Sequence, residues 1–206
     1  GQYRIVADFG PVLGTYVSGI ITNAPGGPAQ LLKAGGDVQA AQVTQYTAEP
    51  LRVRVTDAYG NGVSGVNVNW GVIGGSATLG AVTEPSNDSG YVSNTVLMGT
   101  VADSVLIGAY AEGLTPDSLL FRLLALPGQA SGFIIVDGNE QQVAIGATSD
   151  SIRLRLKDAY GNNIVGATVE FTQLTDLTLS PTSAVTDANG QVAVTVTAGT
   201  SLGVQG

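Results

Sequence analysis

One stretch of twenty residues occurs twice in this chain and decides its fold. Residues 51–70 read LRVRVTDAYGNGVSGVNVNW, and residues 152–171 read IRLRLKDAYGNNIVGATVEF. Nine of the twenty positions are identical, including the whole run DAYGN at 57–61 and 158–162. The two copies are 101 residues apart. This period is too long for a solenoid and indicates a tandem array of whole domains.

Inside each copy, apolar and polar residues alternate with a period of two. Leu51, Val53 and Val55 alternate with polar residues, and 152–157 repeat the pattern. Such alternation predicts a half-buried strand whose apolar face points inward. About seven short strands in each stretch of about 100 residues, with regular turn signals, predict a two-sheet β-sandwich in an all-β chain. The further strands are predicted near 29–33, 39–43, 77–82, 91–97, 104–111 and 117–124.

The composition excludes most enzyme chemistry. The 206 residues include no His and no Cys, so a Ser-His-Asp triad, a thiolate nucleophile and a Cys/His zinc site are impossible. Sixteen acidic residues scatter over predicted loops instead of pairing in a cleft, and we therefore expect no catalysis and no cofactor. The net charge of −8 argues against nucleic acid and against contact with an anionic membrane surface. No apolar run approaches the length of a membrane-spanning helix.

The segment that follows Thr115 allows two interpretations. TPDS at 115–118 followed by LLFRLLAL has the pattern of a short capped helix. Its counterpart in the repeat, TYVSGIITNA at 15–24, has β-branched residues and a central Gly, which disfavour a helix. Because equivalent positions should share a conformation, we predict that both segments are strands.

The repeat also predicts the domain boundaries. Residues 26–126 form one complete unit, and residues 128–206 begin a second unit that lacks the counterparts of the strands over 105–124. Residues 1–24 match those missing strands, and the chain does not begin with Met, so we expect a piece of a longer protein. We expect residues 1–24 to be the last two strands of a neighbouring incomplete domain, in the same chain or in another chain by strand complementation. The alternative is that they only dock on residues 26–126.

Three turns bring oxygen-bearing side chains together, as a calcium site requires. Asp and Asn side chains also bond their own backbone in turns, where a following Gly supplies φ > 0. The turn interpretation is favoured because no turn has the run of four or more oxygen ligands of an EF-hand loop. Calcium therefore remains the less favoured alternative, and no metal-ligating residue is assigned. The three pairs are Asp57 with Asn61, Asp158 with Asn162, and Asp187 with Asn189.

Basic and aromatic side chains mark the two faces of the repeated strands. Five of the eight basic residues lie on the outward face, which could bind an acidic sugar. A solvated face with cross-strand carboxylate pairs is the favoured interpretation. Trp70 and Phe171 occupy equivalent inward positions, and we expect both to fill the core rather than stack on a sugar. The five basic residues are Arg52, Arg54, Arg153, Arg155 and Lys157.

The repeated turn and its surroundings resemble a known family. VTDAYGNGVSGVNVNW at 55–70, GGSATL at 74–79 and TDANGQVAVTVTAGT at 186–200 are similar to the bacterial Ig-like domains of intimin/invasin-type proteins. In that family a Pro often follows the Asn of the turn, whereas Gly62 and Asn163 stand there in this chain. Nothing in the chain resembles the lectin-like tip of invasin-type proteins, so the resemblance implies no receptor-binding residue.

The resemblance implies tandem Ig-like sandwiches in an extracellular stalk that holds an adhesive tip away from a bacterial surface. We expect a non-catalytic structural repeat of a surface fibre, stalk or adhesin, whose partners are neighbouring units or protomers of its own kind. The alternatives are a module that recognises a host protein or glycan, and a structural Ig-like domain of a phage or a surface layer.

Overall fold

The computed structural model describes residues 2–8, 11, 15–173 and 176–201, and all its regular elements are β-strands. The predicted all-β fold is therefore confirmed. Over these ranges the structure contains no helix of the length and apolarity needed to cross a membrane. The first strands along the chain are β1 (Gln2–Tyr3), β2 (Val6–Asp8), β3 (Thr15–Val17) and β4 (Ile21–Thr22).

Ten strands follow within residues 26–126, which we call the first unit. They are β5 (Gln30–Gly35), β6 (Gln39–Gln42), β7 (Leu51–Thr56), β8 (Asn67–Gly74), β9 (Ala77–Leu79), β10 (Thr83–Pro85), β11 (Tyr91–Asn94), β12 (Val96–Met98), β13 (Ser104–Tyr110) and β14 (Ser118–Leu126).

Six strands follow within residues 128–206, which we call the second unit. They are β15 (Ala130–Asp137), β16 (Ile152–Asp158), β17 (Thr168–Glu170), β18 (Leu177–Ser180), β19 (Ser183–Val185) and β20 (Gln191–Ala198).

The first unit is a sandwich of two principal sheets. One sheet has the strand order β10-β8-β13-β14-β6, in which β6 runs parallel to β14 and the other pairs are antiparallel. The other sheet has the order β11-β7-β5, and β12 and β9 form a separate antiparallel pair. The predicted alternation is confirmed, because Leu51, Val53 and Val55 are buried while Arg52 is exposed. These side chains belong to one hydrophobic core that extends from Leu31 to Ala125.

The run predicted as one strand over 91–97 is divided at Thr95. Strand β11 pairs with β7, whereas β12 pairs with β9, so the chain changes partner between Asn94 and Val96. The buried side chain of Asn94 stabilises this change, since it accepts a hydrogen bond from Gly80 N at 3.0 Å and donates one to Ala81 O at 2.7 Å. A polar side chain at an inward position therefore interrupts the ladder.

The segment after Thr115 is a strand, as predicted, and not a helix. Strand β14 pairs with β13 from Ser104↔Leu124 to Tyr110↔Ser118. Burial along it alternates, with Phe121 and Leu123 in the core and Leu120 on the surface. Long-range pairing on both edges of β14 outweighs its local helix propensity.

The second unit has the same turn and strand sequence but a smaller core. Its sheets have the orders β15-β16-β20-β18 and β17-β19. Its buried cluster contains Leu156, Val169 and Val192, and Phe171 packs against it while half-buried. Trp70 is 5% exposed in the first unit, so both aromatic residues contact a core, as predicted.

The N-terminal residues form a β-hairpin. Strand β1 pairs with β4 and β2 pairs with β3, both antiparallel, and Ser18 N donates to Ile5 O at 2.8 Å between them. In the described part of residues 1–24, every strand pairing is internal to the hairpin. The domain boundaries at 24, 26, 126 and 128, and the proposal that residues 1–24 complete a neighbouring domain, stay predictions.

Candidate functional site

The repeated DAYGN turn lies at the junction between the two units, and Asp158 is its central residue. One carboxylate oxygen, Oδ1, accepts hydrogen bonds from the backbone N–H groups of Tyr160 and Asn162, both at 2.9 Å. The other oxygen, Oδ2, accepts from Asn162 Nδ2 and from Gly128 N, both at 2.8 Å. Gly161, at φ 86°, allows the sharp turn that brings these donors together. The carboxylate therefore fixes its own turn and also the linker that enters the second unit.

The first unit has the same arrangement at Asp57. Its Oδ1 accepts from Tyr59 N and Asn61 N at 2.9 Å, and its Oδ2 accepts from Asn61 Nδ2 at 2.9 Å and Gly26 N at 2.8 Å. The carboxylate is buried in both units. Each unit thus holds the Pro-Gly linker that precedes it by one buried, fully hydrogen-bonded carboxylate.

Hydrogen bonds keep both carboxylates ionised. The side chain of Asn61 and the N–H of Gly26 lower the pKa of Asp57 to about 2. For Asp158, burial alone would raise the pKa, but the hydrogen bonds from Asn162 and Gly128 outweigh it and the pKa is lowered. The linker is therefore bound by a negative charge at neutral pH, and hydrogen bonds to a charged acceptor are stronger than neutral ones.

Asn162 extends this arrangement across the junction. Its Oδ1 accepts a hydrogen bond from Ala102 N at 2.9 Å, and its Nδ2 donates to Thr100 O at 2.9 Å. Both partners belong to the first unit, in the loop between β12 and β13. Asn162 also donates its other Nδ2 hydrogen to Asp158. One side chain therefore connects the loop of the first unit to the carboxylate that holds the linker, and we call these contacts the junction hydrogen bonds.

A cleft of about 860 Å³ lies beside the junction hydrogen bonds. Residues of both units line it, so the two units are not packed against each other over this part of their boundary. The lining includes Gln42, Asp103, Leu124–Ala130, Asn162–Val165 and Ala188.

The turn interpretation of the oxygen-bearing pairs agrees with the structure. The four donors to each of Asp57 and Asp158 are given above, and Asp187 Oδ1 accepts from Asn189 N and Gln191 N, both at 2.8 Å. Within residues 2–8, 11, 15–173 and 176–201, no three His, Cys, Asp or Glu side chains are placed to hold a metal ion. Calcium binding itself stays a prediction that the structure does not test.

The expected cross-strand carboxylate pairs on the basic face are mostly absent, which corrects the sequence interpretation. In the described residues only Arg153 has one, with Asp137 at 3.3 Å. Arg52 contacts Ser93 Oγ and Arg54 contacts Ser89 O, at 3.3 and 3.2 Å. The neighbouring strand β11 places Ser93 opposite Arg52 and Tyr91 opposite Arg54, and neither is an acid.

The remaining two basic residues are also turned towards the protein. Lys157 Nζ donates to Gly161 O at 2.6 Å and to Asn163 Oδ1 at 3.0 Å, so it supports the repeated turn. Arg155 Nε is buried and has no hydrogen-bond partner among the described residues. The five basic side chains therefore do not form one open anion-binding surface.

The sequence did not reveal the contacts of Asn162 with Thr100 and Ala102. The turn alone explains the shared Asn, because its Nδ2 donates to the Asp carboxylate of the same turn in both units. The identity of Asn61 and Asn162 therefore gives no sign of a further contact, and sequence spacing cannot show a contact 60 residues away.

The sequence is similar to a known domain family and to a known adhesin. The profile of the bacterial Ig-like domain (group 1) matches residues 37–119 and 135–204. The inverse autotransporter adhesin YeeJ of Escherichia coli K12 is 27% identical over 185 residues, which cover 82% of this chain and 8% of that protein. The chain therefore spans less than a tenth of this relative.

Two solved structures match most of this chain. The Escherichia coli adhesin FdeC matches 90% of this chain and 60% of its own, with a TM-score of 0.51 and 18% identity. The D0-D1 domains of intimin match 84% of this chain and 86% of theirs, with a TM-score of 0.38 and 18% identity. The predicted tandem Ig-like fold and the predicted extracellular, cell-surface location are confirmed. The chain belongs to the bacterial Ig-like domain (group 1) family.

Proposed function

We propose that this chain is a non-catalytic segment of a bacterial surface stalk, in which Ig-like units follow one another in a fixed orientation. The observation that carries the proposal is the set of junction hydrogen bonds around Asp158 and Asn162. The likeness to an adhesin of more than ten times this length supports a role as one part of a long surface protein.

The junction hydrogen bonds suit a stalk because they restrict bending at the point where two units meet. The linker contacts the second unit through Gly128, and the loop at Thr100–Ala102 contacts it through Asn162. A loop of the first unit that contacts the second unit, in addition to the covalent linker, resists rotation better than a linker alone. A stalk needs this resistance, because flexible joints would shorten its reach.

We further propose that neighbouring units complete one another by strand addition. The second unit lacks the counterparts of β13 and β14, and its apolar residues are exposed where those of the first unit are covered. Val43 is 2% exposed, whereas Ile145 at the equivalent position is 51% exposed. Likewise Leu31 is fully buried and its counterpart Phe133 is 48% exposed. An open apolar face of this kind needs a partner.

The hairpin of residues 2–22 has the form of the missing piece. In it Gln2 pairs with Thr22, and in the first unit Ser104 pairs with Leu124, so both positions are shifted by 102 residues. Tyr3, Ile5 and Ile21 are all exposed large apolar side chains. By the same shift they correspond to Val105, Ile107 and Leu123, which are buried in the first unit. Such a hairpin would cover the open face of a second unit.

The strand-addition proposal is tested by an in-phase fusion of two copies, residues 1–203 followed by residues 2–206. The hairpin of the second copy then stands where the second unit of the first copy needs it. We expect the fusion to show a cooperative unfolding transition for that completed unit, with amide protection over β15 and β16 that the single chain lacks. A fusion whose β15 and β16 amides exchange as fast as in the single chain contradicts strand addition. Shuffling the sequence of the inserted hairpin provides the control.

The junction is tested in the single chain with spin labels at Thr78→Cys and Thr178→Cys, since the protein has no other Cys. Both positions are exposed and lie on equivalent strands of the two units. We expect Asn162→Ala to broaden the distance distribution between the labels. Asn61→Ala removes the same side chain from the turn of the first unit and is the matched control. An unchanged distribution in Asn162→Ala contradicts the proposed role of the junction.

No observation in the described part of the chain specifically favours recognition of a host protein or glycan. The basic side chains on the repeated strands are mostly engaged in contacts within the protein, as described above. We therefore propose no second function.

A further inference from the structure

The turn at Asn61 is built like the turn at Asn162 but has nothing docked on it. Both Asn side chains donate one Nδ2 hydrogen to the carboxylate of their own turn, at 2.9 Å in the first unit and 2.8 Å in the second. This bond holds the carboxamide against its own turn in both units. The orientation of Asn61 is therefore set before any partner arrives.

The remaining atoms of the two carboxamides differ in their contacts. In Asn162, the oxygen and the second Nδ2 hydrogen are the atoms that contact Ala102 N and Thr100 O. In Asn61, these two atoms make no hydrogen bond to any described residue. Asn61 therefore presents one acceptor and one donor at the end of the first unit. The same two atoms of Asn162 bind the loop of the first unit at the existing junction.

The surface around Asn61 is also uncovered. Asn61 is exposed, whereas Asn162 is half-buried. Tyr59 is 89% exposed, but its counterpart Tyr160 is 52% exposed. The linker shows the same difference, because Pro25 is exposed and Pro127 is half-buried. This end of the first unit therefore has the residues that form the junction in the second unit, but no other unit covers them.

We propose that Asn61 is the docking point for a preceding Ig-like unit, through the loop that corresponds to Thr100–Ala102. This inference rests on the proposed tandem stalk and assigns a specific residue of the first unit to the next junction. The carboxamide of Asn61 accepts a hydrogen bond from one backbone N–H of that loop and donates to the carbonyl two residues earlier.

The chain itself contains a second loop of the required kind. Gly99-Thr100 and Gly199-Thr200 are equivalent in the repeat. The first pair follows β12 and precedes the hairpin of β13 and β14, and the second pair follows β20 in the unit that lacks this hairpin. Gly99 N donates to Ser76 O at 2.8 Å, and Thr200 N donates to Asp176 Oδ2 at 3.0 Å, so both loops are held against the preceding turn. Each unit therefore has one docking loop at one end and one Asn turn at the other, which makes the association directional.

The in-phase fusion described above tests this inference, because it places the Gly199-Thr200 loop of the first copy before Asn61 of the second copy. Labels at Thr178→Cys of the first copy and Thr78→Cys of the second report the new junction. We expect Asn61→Ala in the second copy to broaden the distance distribution. The matched control is Asn61→Ala in the first copy, which removes the same bond to Asp57 but faces no preceding unit, and it should leave the distribution unchanged.

The outcomes separate this inference from the proposed stalk. Equal distributions for the two Asn61→Ala variants, in a fusion that shows the additional unfolding transition, would overturn docking at Asn61 and leave strand addition intact. A fusion without that transition would overturn strand addition and with it the docking, because the unit that carries the Gly199-Thr200 loop would stay incomplete. Asn162→Ala in the first copy tests the existing junction separately and should not change the distance across the new one.

Discussion

The indole of Trp70 packs against the ring of Phe121, with centroids 5.9 Å apart and planes inclined by 37°. Trp70 belongs to β8 and Phe121 to β14, so the pair lies where two strands of one sheet contribute to the same core. Aromatic pairs in this geometry add to the effect of buried area. We expect Trp70→Ala to lower the free energy of unfolding of the first unit by about 3–5 kcal/mol, as measured by chemical denaturation.

The control for this prediction is Trp70→Phe, which reproduces the residue of the second unit. Trp70 Nε1 is buried without a hydrogen-bond partner among the described residues, and Phe removes that unsatisfied group. We expect Trp70→Phe to cost much less than Trp70→Ala. Equal losses for both variants would show that the ring contact with Phe121 contributes little.

The stability of the first unit should depend on the charge of Asp57. The folded pKa of about 2 lies below the ordinary value of 3.8, so ionisation is favoured in the folded state. This contribution is fully present above pH 3.8 and is lost as the pH falls towards 2. Unfolding followed through the fluorescence of Trp70, the single Trp, should show this loss. In Asp57→Asn the unit should be weaker at neutral pH and its stability should change less between pH 4 and pH 2, whereas the exposed Asp88→Asn should behave as the original protein.

Two glycines with the same backbone conformation should respond differently to substitution. Gly60 has φ 82° and open space around it, so Gly60→Ala should cost only the left-handed conformation, about 1–2 kcal/mol. Gly90 has φ 81°, but an added methyl group would collide with the carbonyl oxygen of Val55. We expect Gly90→Ala to cost about 3 kcal/mol or more, because strand β7 must move as well. Denaturation curves of the two variants provide the comparison, and equal losses would contradict the collision.

The buried hydroxyl of Ser86 should also contribute to the stability of the first unit. Ser86 Oγ accepts from Val66 N at 3.0 Å and donates to Val63 O at 2.7 Å, and Thr186 accepts from Ala167 N at the same place in the second unit. Ser86→Ala leaves both backbone groups without this partner, and we expect a loss of about 1–3 kcal/mol in thermal or chemical unfolding. Ser93→Ala on the exposed face is the control, and it should change stability by less than about 0.5 kcal/mol.

The sequence was sufficient for the features that depend on local pattern. The alternation at Leu51, Val53 and Val55 predicted the buried face of β7. The repeat predicted a strand near 117–124 despite its helical composition, and β14 is observed at Ser118–Leu126. The burial of Trp70 followed from the same alternation. These predictions succeeded because side-chain direction in a strand changes with every residue, so the faces can be assigned without knowing the partner strands.

Features that depend on partners could not be predicted in the same way. Alternation does not show that β6 runs parallel to β14, or that the chain changes partner at Thr95. The repeated turn has a period of 101, whereas the linker glycines and the hairpin are shifted by 102, because the first unit has one residue more between Gly26 and Asp57 than the second unit has between Gly128 and Asp158. The expected carboxylate pairs failed for the same reason, since the strand beside Arg52 and Arg54 was not known.

The contacts of Asn162 with the first unit involve only main-chain atoms, Thr100 O and Ala102 N. Every peptide contains such atoms, so the side chains of a docking loop can change without loss of the joint. Recombination between repeats of a gene could therefore insert or delete whole units, and each new boundary would form without compensating mutations. The number of units could then change while the contact at each junction is kept.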